Sequence, residues 1–129
     1  MMTDAPGKPS PTELDILRIL WEQGPSTVRQ VFERVSETRP VGYTGVLKTL
    51  QIMTVKGSVR RDESERAHVY EAVQPAAKTK RALVGDLLDR AFAGSAAQLV
   101  MHALSGRKTS KEELDEIRKI LADHEGTTE

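Results

Sequence analysis

The sequence predicts a mainly α-helical fold in which three helices and a β-hairpin are followed by three further helices. Apolar residues recur at helical spacing in six segments, and glycine or proline residues separate most of these segments. Residues 58–71 depart from this spacing. They contain two short runs rich in branched residues, which are separated by a polar turn. A chain of 129 residues has room for one domain or two small ones.

The first two helices are marked by capping residues and by proline. Ser10 can cap the first helix and Glu13 completes a capping box, while Gly24-Pro25 ends the helix. A second helix is predicted to be capped at residues 26–27. It is expected to continue to Arg39-Pro40, because the residue before a proline avoids the helical region.

The third helix is predicted from about Gly42 to Lys56, with Gly57 as its C-terminal glycine cap. Its residues divide between an apolar and a polar side, because positions three and four apart share one face of a helix. The apolar side carries Val46, Leu50 and Met53, and the polar side carries Thr44, Lys48 and Gln51.

After Gly57 the apolar residues no longer follow helical spacing, and the new pattern predicts a β-hairpin. Residues 58–62 and 67–71 form its two strands, and the polar residues 63–66 form the turn. Three helices followed by a hairpin is the element order of a winged helix-turn-helix, so residues 10–74 are interpreted as a winged-helix DNA-binding domain. Residues 1–9 are interpreted as a disordered arm.

Residues 75–124 are interpreted as a small dimerisation domain of three amphipathic helices. About 50 residues bury too little surface to be stable alone, so their apolar faces are expected to pack against a second copy. The residues predicted to form this seam are Leu83, Leu87, Leu88, Phe92, Leu99, Leu104, Leu114, Ile117 and Leu121.

Composition narrows the class of protein. The chain contains no cysteine, and it has neither an apolar run long enough to span a membrane nor a signal-peptide pattern at its start. We therefore expect a cytoplasmic protein without a membrane association. The three histidines lack metal-ligand spacing, and no nucleophile–base motif or glycine-rich phosphate loop is present. We therefore expect neither an enzyme nor a bound metal or cofactor.

The charge distribution favours a nucleic-acid partner more than the total charge does. The chain has 19 basic and 19 acidic residues, so its formal net charge is zero. Between residues 39 and 61, however, basic residues occur without any acidic residue. A local positive patch of this kind can supply phosphate contacts. Its members are Arg39, Lys48, Lys56, Arg60 and Arg61.

Candidate DNA contacts fall on two helices and the hairpin. The polar side of the third helix can read base edges in the major groove, and basic residues of the hairpin can reach phosphates. A solvated helix face and a solvated hairpin are the plain alternatives, and Trp21 and Tyr43 are expected in the core. The complete candidate set is Arg29, Thr44, Lys48, Gln51, Lys56, Arg60, Arg61 and Arg66.

A set of short matches resembles the penicillinase-repressor family of winged helix-turn-helix regulators. The residues that carry the resemblance are 43–50 (YTGVLKTL), Lys56-Gly57 and Val69-Tyr70, and the likeness extends from Thr12 to about Ala122. The resemblance implies a homodimeric repressor on double-stranded DNA with an inverted-repeat operator, controlling a stress or antibiotic response. It also implies release through a membrane metalloprotease sensor that acts on the repressor indirectly.

The chain departs from the family pattern at several positions. Gly45 stands where threonine is usual, which weakens the third helix by up to ~1 kcal/mol, and Val55 stands where a charged residue is common. The family's asparagine–phenylalanine cleavage pair corresponds to His102-Ala103, and the cysteines of copper-responsive relatives are missing. A winged-helix module for protein–protein contact without DNA binding is the alternative function.

Overall fold

The computed structural model describes residues 8–127 of the chain, so residues 1–7 of the predicted disordered arm lie outside the described part. Six helices and three short strands follow one another. In chain order they are α1 (Pro11–Gln23), β1 (Ser26–Thr27), α2 (Val28–Val35), α3 (Tyr43–Lys56), β2 (Val59–Asp62), β3 (Val69–Ala72), α4 (Ala76–Phe92), α5 (Ala96–Ser105) and α6 (Lys111–Thr127). The predicted fold class, three helices with a hairpin wing and then three helices, is confirmed.

The predicted caps of α1 are present. The Ser10 hydroxyl accepts a hydrogen bond from the backbone N–H of Glu13, and the Glu13 carboxylate accepts one from the backbone N–H of Ser10. Gly24 ends the helix at a φ of 82°, a conformation that glycine adopts without steric cost. A second capping box, between Thr27 and Gln30, begins α2.

The prediction that α2 continues to Arg39-Pro40 was wrong. The helix ends at Val35, because the chain tightens into turns in which the amides of Glu37 and Thr38 donate to the carbonyls three residues earlier. The Ser36 hydroxyl also donates to the Glu33 carbonyl, which competes with continued helix. Residues 36–42 therefore form a connection between α2 and α3, as a helix-turn-helix requires.

The hairpin belongs to a three-stranded antiparallel sheet with the order β1-β3-β2. Val59 pairs with Ala72 and Asp62 with Val69, so the hairpin strands are shifted by a residue or two from their predicted limits. The two residues of β1 pair with Tyr70 and Val69 on the other side of β3. This strand fixes the start of α2 to the wing.

A single apolar cluster holds α1, α2, α3 and the sheet together. The indole Nε1 of Trp21 donates to the Gln74 carbonyl at 3.0 Å, which ties α1 to the second residue after the sheet. The fully or nearly fully buried members of the cluster are Ile16, Leu17, Ile19, Leu20, Val28, Val31, Val35, Val46, Leu50, Met53, Val59 and Tyr70. Burial of this many large side chains makes the winged-helix part a stable scaffold for its surface.

The chain divides into two compact units between Val84 and Gly85, inside α4. From Ala76, in the last part of the first unit, through the second unit to Gly126, every residue is at least partly exposed. Leu87 is 46% exposed and Leu121 is 56% exposed, although both belong to apolar stripes. Within residues 8–127, no helix combines the length and the hydropathy that crossing a bilayer needs.

Candidate nucleic-acid interface

Helix α3 presents its polar side to solvent and its apolar side to the core. Val46, Leu50 and Met53 are buried, as the spacing predicts, while the polar set Thr44, Lys48 and Gln51 is exposed. Gly57 ends the helix in the left-handed conformation at a φ of 86°, and its amide donates to the carbonyls of Met53 and Thr54. The helix is therefore fixed at its C-terminus with its polar stripe outward.

The first turn of α2 meets the first residue of α3 through an aromatic contact. The guanidinium carbon of Arg29 lies 5.8 Å from the centroid of the Tyr43 ring, within the range of a cation–π interaction. The Tyr43 ring also contacts the Phe32 ring edge-to-face, at a centroid distance of 5.9 Å. Arg29 and the polar stripe of α3 are thus parts of one surface.

Tyr43 was predicted to be a core residue, and this prediction was wrong. Its side chain is 42% exposed, because it is the first residue of α3 and contacts Phe32 and Arg29 on the surface of α2. Sequence reasoning missed Tyr43 as a surface residue because aromatic residues of a small domain are more often buried. Its position next to Thr44, at the N-terminal end of the polar stripe, was the available signal.

The wing carries three of the predicted basic residues, and two of them have carboxylate partners. Arg60 lies 3.4 Å from Glu71, and Arg61 lies 2.5 Å from Glu63. The Tyr70 hydroxyl and the Glu63 carboxylate raise the pKa of Arg61 above its usual value. Arg66, in the turn between the strands, has no carboxylate within ion-pair distance among the described residues.

The basic stretch from residue 39 to residue 61 is less positive in three dimensions than in sequence. The ammonium of Lys56 lies 3.1 Å from both carboxylate oxygens of Glu13, a side chain that is only 7% exposed. Arg39 forms an ion pair with Asp15 of α1. Together with the two pairs on the wing, these contacts leave Lys48 as the one basic residue of this stretch without a carboxylate partner in residues 8–127.

The exposed surface of α2 and α3 therefore carries four polar groups. They are the Lys48 ammonium, the Arg29 guanidinium next to the Tyr43 ring, the Thr44 hydroxyl and the Gln51 amide. We call Arg29, Tyr43, Thr44, Lys48 and Gln51 the α3 face. Ammonium and guanidinium groups donate hydrogen bonds to phosphates and guanine, and an amide can pair with adenine. An exposed helix of 14 residues also has a shape that enters the major groove of DNA.

Comparisons with known proteins identify relatives that are named a transcriptional regulator and a penicillinase repressor. The chain is 32% identical over 115 residues to the transcriptional regulator BlaI of Mycobacterium tuberculosis (strain ATCC 25618 / H37Rv), with 88% of this chain and 82% of the relative covered. It is 24% identical over 119 residues to the penicillinase repressor of Bacillus licheniformis, with coverage of 89% and 90%.

Solved structures agree with the same fold. A solution structure of the DNA-binding domain of the repressor BlaI matches with a TM-score of 0.51 and 20% identity, and it covers 59% of this chain and 92% of that domain. The YusO protein of Bacillus subtilis matches with a TM-score of 0.53 and 18% identity, with coverage of 93% and 77%.

The sequence pattern of the penicillinase repressor family matches residues 9–123, nearly the whole chain. This match includes the α3 face, the wing, α4, α5 and most of α6. The chain therefore belongs to the penicillinase repressor family.

Proposed function

We propose that this protein is a transcriptional repressor that binds double-stranded operator DNA through the α3 face and the wing. The observation that carries the proposal is the exposed polar stripe of α3, in which Lys48 has no carboxylate partner among the described residues. Family membership supports it, because the curated relatives are named a transcriptional regulator and a penicillinase repressor. These relatives give no support to the alternative of a protein-contact module without DNA binding.

The residues divide into groups with different tasks. Thr44, Lys48 and Gln51 enter the major groove, because the second helix of a helix-turn-helix is the one that reads bases. Arg29, at the start of α2, and Arg66, in the turn of the wing, contact phosphates. Lys56, Arg60 and Arg61 have carboxylate partners, so they contribute less to the affinity, since a phosphate must displace an ion pair.

The C-terminal helices form the dimer interface in this proposal. Their leucine, isoleucine and phenylalanine side chains stay partly exposed in one chain, and a second copy would cover them. A two-fold dimer presents two α3 faces, so its operator is an inverted repeat. A repressor of this kind works in the cytoplasm, where bacterial DNA is located, and controls a stress or antibiotic response.

Release from DNA need not follow cleavage at His102-Ala103. This bond lies inside α5, and nicking by proteases favours exposed loop segments rather than helix interiors. Release from DNA in this proposal therefore does not depend on cleavage at this bond. A membrane metalloprotease sensor remains a proposed indirect partner, whose signal would reach the repressor by another route.

A titration of the full-length protein tests the proposal. Fluorescence anisotropy would measure binding to the promoter fragment next to the protein's own gene and to a scrambled fragment, at several salt concentrations. We expect tighter binding to the promoter and an affinity that falls linearly with salt on logarithmic axes, because bound counterions are released. Equal, salt-independent or undetectable binding to both fragments would contradict the proposal.

A further inference from the structure

We infer that Tyr43 is a positioning residue, which holds the Arg29 guanidinium in place for a phosphate of the DNA backbone. The inference rests on the proposed function and adds a residue that the sequence had assigned to the core. Arg29 and Phe32 are three positions apart on α2, so they share one face of that helix. Tyr43, from α3, contacts both of them.

The two contacts of Tyr43 have different consequences. Phe32 packs against the hydrophobic core, so its edge-to-face contact anchors the Tyr43 ring. Arg29 is exposed and has no carboxylate partner among residues 8–127, so the ring is the group that limits its freedom. A guanidinium above a ring keeps its N–H groups available at its edge, where an anion can accept them.

The position of Arg29 identifies the DNA group. Arg29 belongs to the first turn of α2, the first helix of the helix-turn-helix pair, and this helix crosses the DNA backbone while the second enters the groove. The DNA group within reach of Arg29 is then a backbone phosphate rather than a base edge. Holding a long side chain in its bound conformation before binding reduces the entropy cost of the contact.

Four variants of the full-length protein test this role on the promoter fragment. Arg29→Gln should make the salt slope shallower by about one for each half-site. Tyr43→Leu should weaken binding by about two- to fivefold for each half-site, and Tyr43→Phe should bind within about twofold of the natural protein, because the ring is kept. Arg107→Gln removes the same charge from the loop before α6 and should leave the slope unchanged.

The double variant decides whether Tyr43 acts through Arg29. In the Arg29→Gln background, Tyr43→Leu should cause no further loss of affinity, since its partner is gone. Additive losses would overturn the inference, as would a Tyr43→Phe variant as weak as Tyr43→Leu, which would assign DNA contact to the hydroxyl itself. Circular dichroism of each variant confirms folding. If the natural protein shows no salt-dependent binding, the proposed function fails instead.

Discussion

At the scale of single residues, a basic side chain contributes more to DNA affinity when it has no carboxylate partner within the protein. Lys48 and Arg66 have no carboxylate within ion-pair distance in the described chain, whereas Lys56 shares its ammonium with both oxygens of Glu13. A free cation releases counterions from DNA without first losing a protein contact. Arg29 likewise has no carboxylate partner among residues 8–127, so we expect Arg29, Lys48 and Arg66 to show larger effects on binding than the paired cations.

The first prediction separates base reading from phosphate contact. Lys48→Ala should weaken binding to the operator more than binding to scrambled DNA, because a base-edge contact is worth roughly 1–3 kcal/mol of discrimination. Arg66→Ala should weaken both equally and make the salt slope shallower by about one for each lost contact. Titrations of both variants on both fragments, at several salt concentrations, measure the two quantities.

Arg107→Ala is the control, since it removes an exposed charge from the second unit. It should change neither the specificity ratio nor the salt slope. An unchanged specificity ratio for Lys48→Ala would show that Lys48 contacts only the backbone or solvent. Base reading would then belong to Thr44 and Gln51.

The sequence predicted which residues of α3 face outward, but not which charges are neutralised. Helical periodicity places Thr44, Lys48 and Gln51 on one side, and this local rule needs only one helix. The partners of Lys56 and Arg39 are Glu13 and Asp15 of α1, which are more than 20 positions away in sequence. Such pairing depends on how helices pack against each other, which no local pattern specifies.

At the scale of elements, α3 contains one glycine in a helical conformation, Gly45, and is followed by another in a left-handed conformation, Gly57. Apart from its chain neighbours and the backbone of its own helix, no atom lies within 4 Å of a Cβ added at Gly45, and the backbone there is helical. Gly57 has a left-handed φ of 86°, which side chains rarely adopt. The same substitution should therefore have opposite effects at the two positions.

The second prediction follows from this contrast. Gly45→Ala should stabilise the protein by about 0.5–1 kcal/mol, because alanine loses less conformational entropy in a helix. Gly57→Ala should destabilise it by about 1 kcal/mol, because the left-handed conformation becomes strained. Urea unfolding followed by circular dichroism measures both free energies, and equal signs would contradict the roles assigned here.

The third prediction concerns the ion pair between α1 and the end of α3. Lys56→Met keeps the length of the side chain but leaves the nearly buried Glu13 carboxylate without its cation, so we expect a loss of about 1–2 kcal/mol. Arg60→Met is the matched control, because its pair with Glu71 is exposed and such pairs contribute little. If both variants unfold at the same urea concentration, the Glu13 pair has no special role.

The elements themselves were largely predictable, with two exceptions. Caps, glycines and apolar spacing located α1, α3 and the C-terminal helices, because these signals are local. β1 was missed because two residues are too few to show an alternating pattern, and its partner Tyr70 lies far away in sequence. The end of α2 was misplaced because the turns after Val35 compete with the helix through hydrogen bonds rather than through proline.

At the scale of the whole molecule, the second unit is the part whose stability a single chain does not explain. Its apolar side chains remain partly exposed from α4 to α6, although they follow regular stripes. The sequence predicted this incomplete burial from the length of the segment, because about 50 residues form too small a hydrophobic core to be stable alone. The identity of the covering surface, a second copy, remains a proposal.

The fourth prediction tests dimerisation. Leu87→Asp would place an unpaired carboxylate in the proposed apolar seam, at a cost of several kcal/mol, and should convert the dimer to monomer while the winged-helix unit stays folded. Gln98→Asp adds the same charge at an exposed position of α5 and should leave the dimer intact. Sedimentation velocity at about micromolar concentration measures both, and a dimeric Leu87→Asp variant would place the interface elsewhere.

The central claim is that two α3 faces of a homodimer bind one two-fold operator. Hydroxyl-radical footprinting of the full-length protein on its own promoter tests this most directly. The account predicts two protected segments related by two-fold symmetry, with centres about one or two helical turns apart. It also predicts that the same pattern disappears for Leu87→Asp at a matched protein concentration. Protection of a single unsymmetrical segment, or no protection where the anisotropy titration is saturated, would contradict the account.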